Sequence, residues 1–421
     1  MNKLIFLLCF LFLLFLTYRP GYNLSTTTSV VGLLYICMSL CIIILWLKGF
    51  KEINKFNYKF TIDLISLFLV LVLFSSVLFS ILRSPDNFGT GMPILFFTAM
   101  TLILAMSYFI NYHSNFTFLD LVKFQSIVVM YTGVIASIIA WLVLLNFDYW
   151  DFQQNQPFNY YRLYGWLGNP NVLGNMLGIA IVSCIFNMNR STKRKIYYLI
   201  VILLTVSLIM TGSKGAIIST SCGIIIYFLT LNKFNIIKFI KNSRKFVMLS
   251  ISISIFLIIG FNLMDNIIGL NLEVYVERVI KLGEDESSRF QLWGDGLYIF
   301  NQANLLEILF GHGRNYYMRN VGASAHNTYV ELLVDYGLVV LLILLLLTLI
   351  TVYKVAILDK KLGNSLSSLI YATLTIIILS GMFTTHLFSL RFEHFMFFFI
   401  LFSMIFVNYN SKLTNTGGQY V

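Results

Sequence analysis

Apolar runs of about 17 to 22 residues recur from one end of this chain to the other, and each is long enough to cross about 30 Å of hydrocarbon as a helix. Inside lipid no water satisfies backbone N–H and C=O groups, so a span must satisfy its own, which a helix does. Of 421 residues 58% are hydrophobic and 11% charged, too little charge to cover a soluble body of that size. The expected fold class is therefore all-α, a polytopic membrane helix bundle of about twelve spans. They fall at about 4–18, 29–47, 61–82, 93–112, 121–146, 172–188, 196–210, 215–231, 246–261, 328–353, 367–385 and 395–409.

A formal net charge of +11 raises the question of nucleic acid, and the location of the charges answers it. Basic residues gather in alternate connections: Lys48, Lys51, Lys55 and Lys59; Arg190, Lys193, Arg194 and Lys195; Lys233, Lys238, Lys241, Arg244 and Lys245; Lys354, Lys360 and Lys361. That is the positive-inside pattern, which puts these loops and both termini in the cytoplasm and excludes a nucleic-acid role. It also favours an uncleaved first helix over a signal peptide, whose removal would turn the basic loops outward. Cys9, Cys37, Cys41, Cys184 and Cys222 all fall inside expected helices, against a disulfide framework or a zinc site.

The chain divides into spans 1 to 9 over 1–261, an extracytoplasmic loop domain over 262–327, spans 10 to 12 over 328–409, and a cytoplasmic tail over 410–421. Long connections in compact proteins are commonly functional, and the fold class includes this long, partly helical outer loop between helices 9 and 10. Helical patterns run over 271–282 and 288–301, the latter with Phe290, Trp293, Leu297 and Phe300 on one face and Arg289 at its edge. Such a helix suits the membrane surface or a cap over the bundle. The loop then turns through Gly311, His312, Gly313 and Arg314, residues whose ordinary role is to shape it, with sugar binding as the alternative. Thr328 and Glu331 have capping-box spacing, which puts His326 just outside a helix start at the outer surface.

Three other segments carry polar chemistry. The loop 147–171 is crowded with Tyr, Trp, Asn and Gln; Arg162 suits phosphate or sugar, Tyr164 and Trp166 suit sugar stacking or a membrane interface, and Asn169 to Asn171 read as a turn and cap. Lys214 sits in a tight Thr-Gly-Ser-Lys-Gly connection between two spans, where an ionisable residue is functional by default. The segment lacks the strand and spacing of a nucleotide P-loop. Glu284, Asp285 and Glu286 read as favourable charge at a helix start in preference to a metal site.

Four segments resemble the superfamily of O-antigen polymerases and O-antigen ligases, bacterial surface-polysaccharide enzymes: RLYGWLGNPN at 162–171, TGSKGA at 211–216, the stretch from Arg289 to Phe310 with Gly311 and Gly313, and AHNTYVELLVDYG at 325–337. His326, Asn327 and Gly337 fit the ligase spacing, while Val340 departs from its last position and Lys214 stands where the family has Arg. Lys keeps the charge and loses the bidentate fork.

The resemblance implies transfer of a glycan from an undecaprenyl-pyrophosphate-linked oligosaccharide donor to a glycan hydroxyl acceptor. The setting would be the outer face of the bacterial cytoplasmic membrane, without metal or cofactor. It implies His326 as general base, and Arg289 and Lys214 as cations on the leaving diphosphate. Arg162, Asn327, Arg314, Tyr164 and Trp166 would bind substrate. Polymerase is the preferred reading, on Val340 and Lys214, with a chain-length regulator as a candidate partner. Ligase, acting on lipid A core or protein, is the alternative. A transporter or flippase is the third reading, disfavoured because no repeat of halves is visible and the polar residues gather at one face.

Overall fold

The computed structural model describes residues 64–83, 118–144, 163, 169–233, 235, 286–362, 364–384 and 392–404. Among them every regular element is a helix. These are α1 (Leu64–Arg83), α2 (Phe118–Leu144), α3 (Pro170–Met188), α4 (Arg194–Met210) and α5 (Lys214–Leu231). Further along come α6 (Glu286–Gln302), α7 (Leu305–Phe310), α8 (Tyr316–Val321), α9 (Thr328–Glu331), a π turn (Leu332–Tyr336), α10 (Gly337–Leu362), α11 (Asn364–Gly381) and α12 (Phe392–Ser403). Among the described residues five stretches are long and apolar enough to cross a membrane: α1, the Gln125–Leu142 part of α2, α3, α5, and Thr328–Leu358. The expected spans at 4–18, 29–47, 93–112 and 246–261, the helix at 271–282 and the tail lie outside the described residues.

The axis of the described bundle is α3, buried from Val172 to Met188, with α2, α4, α5, α11 and α12 around it. Lipid tails are as apolar as Leu, so helix association here rests on close packing and polar contacts more than on the hydrophobic effect. At Gly178 a Cβ would strike Thr220 of α5, so the two backbones meet where a larger residue would part them. Polar glue follows the same logic: Ser137 and Ser207 share a hydrogen bond between α2 and α4, and Trp141 Nε1 donates to Ser207 Oγ at 2.9 Å. Asn187 Nδ2 donates to Ser126 Oγ at 3.0 Å.

One end of the bundle carries basic residues in structural roles. Arg190 lies over Phe186, 5.2 Å from the ring centroid, and its Nη1 donates to Ser365 Oγ at 3.4 Å. Lys354 corrects the sequence reading: it is no loop residue, because α10 runs past Tyr353 to Leu362. Its buried Nζ donates to Met404 O at 2.9 Å and to Ser66 Oγ at 3.4 Å, satisfying a carbonyl left open at the end of α12.

Candidate functional site

The opposite end of the bundle gathers the four segments singled out in the sequence, the first of them through Leu163 and residues 169–171. Thr211 ends α4, Gly212 turns with φ +57°, and Ser213 caps α5 by accepting from Ala216 N at 3.4 Å. Lys214 is therefore the first residue of α5, half-exposed, with its backbone fixed on both sides. Gly174 of α3 packs on Thr211, Ser213 and Ala216, and Leu163 N donates to Met210 O at 2.9 Å. The TGSKGA turn thus meets both the start of α3, where Asn169 caps by accepting from Asn171 N at 2.8 Å, and the residue after Arg162. Arg162, Tyr164 and Trp166 themselves lie outside the described residues.

His326 projects from a bend whose neighbours are clamped. Trp293 Nε1 on α6 donates to Ala325 O at 2.9 Å, and Ala325 N donates to Glu331 Oε1 at 3.2 Å. On the other side Asn327 Oδ1 accepts from Tyr329 N at 2.9 Å and Val330 N at 3.3 Å, while Thr328 Oγ1 donates to Thr384 O at 3.0 Å. Between them His326 is exposed and held at φ +49°, a left-handed conformation that non-glycine residues adopt at a cost. The expected cap is corrected by this geometry: Asn327, not Thr328, caps the helix, and the Glu331 carboxylate reaches past it to Ala325. Asn has a side-chain carbonyl one atom from the backbone turn, which makes it the better cap.

The three expected catalytic residues share this end of the bundle through intermediaries. Phe383 lies against Gly215, next to Lys214, and the following Thr384 accepts from Thr328, two residues after His326. Half-buried Arg289 precedes Trp293 by one helical turn on the same side of α6. The face of α6 differs from the expected one. Trp293, Phe300 and Gly296 turn inward, Gly296 against Val330 and Tyr317, while Phe290 is 62% and Leu297 48% exposed. The four apolar residues form two stripes, and the close approach at Gly296 selects the one containing Trp293.

The glycine turn after α7 docks across the π turn. Gly311 (φ +75°) and Gly337 (φ +81°) face each other so closely that a Cβ on either would enter the other strand's backbone. The π turn leaves carbonyls unpaired within the helix, and the loop takes them: His312 N donates to Val334 O at 2.9 Å and Gly313 N to Asp335 O at 3.1 Å. Arg83 at the end of α1 donates to Gly311 O at 2.8 Å and pairs with Glu307 at 3.8 Å. His312 stacks on Tyr316, its Nδ1 3.6 Å from Glu307. Burial lowers the pKa of His312 below its ordinary 6.5; Glu307 opposes that shift and Arg83 adds to it. Burial, with help from Asp295 and Glu331, pushes the Tyr317 phenol up to about 12, so it stays a donor to Leu292 O at 2.7 Å.

Sequence reading missed Asp335 and Arg83, and it placed Trp293 on an apolar face without its bond to Ala325. Asp335 carried a usable signal, an acid inside an apolar span two residues before a glycine. Neither Arg83 nor the bond of Trp293 carried one, since each reaches a backbone carbonyl far away in sequence.

Residues 199–345 match the family model described as O-Antigen ligase, about a third of the chain. The match takes in Lys214, Arg289, Gly311, Gly313, His326, Asn327 and Gly337 and leaves Arg162 outside. No curated protein matches the chain.

Proposed function

We propose that this chain, which over residues 199–345 belongs with the O-antigen polymerase and ligase superfamily, is a glycosyltransferase acting on lipid-linked glycans at the outer face of a bacterial cytoplasmic membrane. The observation that carries the reading is His326, exposed in a clamped left-handed bend at the bundle end shared by Lys214 and Arg289. In the reaction the His326 imidazole takes the proton of an acceptor hydroxyl as that oxygen attacks the anomeric carbon of the donor glycan. The bond from that carbon to the diphosphate oxygen breaks, and undecaprenyl pyrophosphate leaves with its charge. Lys214 and Arg289 meet that charge where it develops, in the place a metal takes in other lipid-sugar transferases.

Arg314, Arg162, Tyr164 and Trp166 bind the glycan or its phosphates, and Asn327 serves the site by fixing the bend from which His326 projects. Both termini and the basic loops are cytoplasmic, the segment 262–327 is outside, and about twelve spans cross the membrane.

The acceptor is a second lipid-linked repeat unit, which makes the enzyme an O-antigen or capsule polymerase; Val340 and Lys214 depart from the ligase pattern. Expression of His326→Ala in cells lacking the native activity tests this. The parent gives a ladder of chain lengths and the variant single repeat units, at equal protein in the membrane. A ladder from the variant contradicts the assignment. A parent that fails to polymerise but attaches preformed chains to lipid A core is a ligase.

A further inference from the structure

We propose that Asp335 is a positioning residue that sets Arg314 and, through α8 and α6, Arg289 for contact with a lipid-linked diphosphate; the inference rests on the transfer reading above. Asp335 is 3% exposed within the span Thr328–Leu358, and a carboxylate there is costly unless hydrogen-bonded. Both bonds of its carboxylate go to one segment of the outer loop. Its Oδ2 accepts from Asn315 N at 2.8 Å, and its Oδ1 from Tyr317 N at 2.9 Å. Its carbonyl, released by the π turn, accepts from Gly313 N at 3.1 Å and from Ser80 Oγ at 2.7 Å.

Arg314 is thereby bracketed. The N–H of the residue before it and the N–H of the residue after it both bond to Asp335, and its own N–H reaches Ser80 O at 3.4 Å. Its backbone is held on both sides, and its side chain is half-exposed. Arg314 and Arg319 are the cations that interact with Asp335 through space. The bond to Tyr317 N extends the effect. The residue before α8 is Asn315, whose own side chain makes no cap bond, so the Asp335 carboxylate caps α8 from another element. Tyr317 then passes the placement on, its hydroxyl to Leu292 O and its ring to Gly296, both on α6 with Arg289. A planar guanidinium with a fixed origin is suited to paired phosphate oxygens, and a displaced one loses both bonds together.

A double-mutant cycle separates positioning from general support of the fold. Binding of undecaprenyl pyrophosphate to the purified protein, and kcat and KM for transfer, are measured for the parent, Asp335→Ala, Arg314→Gln and the double variant. Hydrogen bonds to charged groups set the scale, so each single change weakens binding by about ten- to a hundredfold. The Asp335→Ala change costs at least about threefold less once Arg314 is already Gln than it does in the parent, and what remains is the part that acts through α8 and α6 on Arg289. Asp335→Asn, which keeps a carbonyl acceptor, falls between parent and Asp335→Ala and replaces it in the cycle where the latter does not insert. Losses that multiply in the double variant, or an Asp335→Ala protein that binds like the parent, overturn the proposal. A cycle that couples in binding while no variant or parent transfers glycan refutes the transfer reading and leaves the positioning of Arg314 established.

Discussion

Gly337→Ala breaks the docking of the loop over residues 311–317 at one atom. Gly337 has φ +81° and ψ 177°, a region open essentially to glycine alone, and holding a non-glycine residue there costs about 1–3 kcal/mol. The new Cβ also lies 2.5 Å from Leu309 O and 2.6 Å from its carbonyl carbon, both backbone atoms, so the turn of Gly311 must move away. Moving it removes the bonds from His312 N to Val334 O and from Gly313 N to Asp335 O, each worth about 0.5–1.5 kcal/mol. The sum, about 2–6 kcal/mol, acts on the docking of one loop more than on the bundle. Hydrogen exchange read by mass spectrometry on protein in nanodiscs reports it directly. Amides of His312, Gly313, Asn315 and Tyr317 lose protection, those of α3 and α5 keep it, and transfer activity falls. Parent-like protection over residues 311–317, with parent activity, would refute the reasoning.

Further outcomes follow from the topology, the charges and the buried histidine. Single cysteines introduced at Ser287 and Asn242 report sidedness against an impermeant thiol reagent in spheroplasts: Ser287→Cys labels above the parent background and Asn242→Cys does not, and the reverse pattern would invert the bundle. Lys214→Gln lowers transfer by about 100- to 1000-fold while Lys214→Arg keeps much of it; equal rates for Lys214→Gln and the parent would remove Lys214 from the site. Burial holds the pKa of His312 below 6.5, so the undocked loop binds the proton more readily than the docked one. Docking is therefore fully stable above pH 6.5 and weakens as pH falls below it: the exchange protection of Gly313, corrected for intrinsic rate, declines toward pH 5.5 in the parent and stays flat in His312→Gln.

The helices were legible because their signal is redundant. Any run of apolar residues about 30 Å long announces itself, and the expected helices at 61–82, 121–146, 172–188, 196–210, 215–231, 328–353, 367–385 and 395–409 all have counterparts. Their ends were less legible. α10 runs through Lys354 because that ammonium bonds to Met404 O, a partner that hydropathy does not reveal. The same limit applies at the site. His326, Asn327 and Gly337 were visible as a spacing, yet what the spacing is for depends on long-range contacts: Trp293 on Ala325, Thr328 on Thr384, and Gly311 against Gly337. The helical period over 288–301 gave the helix correctly and its buried face only in part, since Phe290 and Trp293 both fit an apolar stripe and only Val330 and Tyr317 choose between them.

The central claim, that His326 accepts the proton of the attacking hydroxyl, is tested by the single-turnover transfer rate of purified His326→Ala in lipid, at saturating donor and acceptor. General-base catalysis is worth about 100- to 10,000-fold, so the rate falls by that factor while donor binding is unchanged and EDTA leaves the parent rate untouched. A rate within about threefold of the parent, far below what a general base contributes, would contradict the claim. Activity abolished by chelation and restored by a divalent ion would transfer the chemistry to a metal and turn attention to Glu284, Asp285 and Glu286.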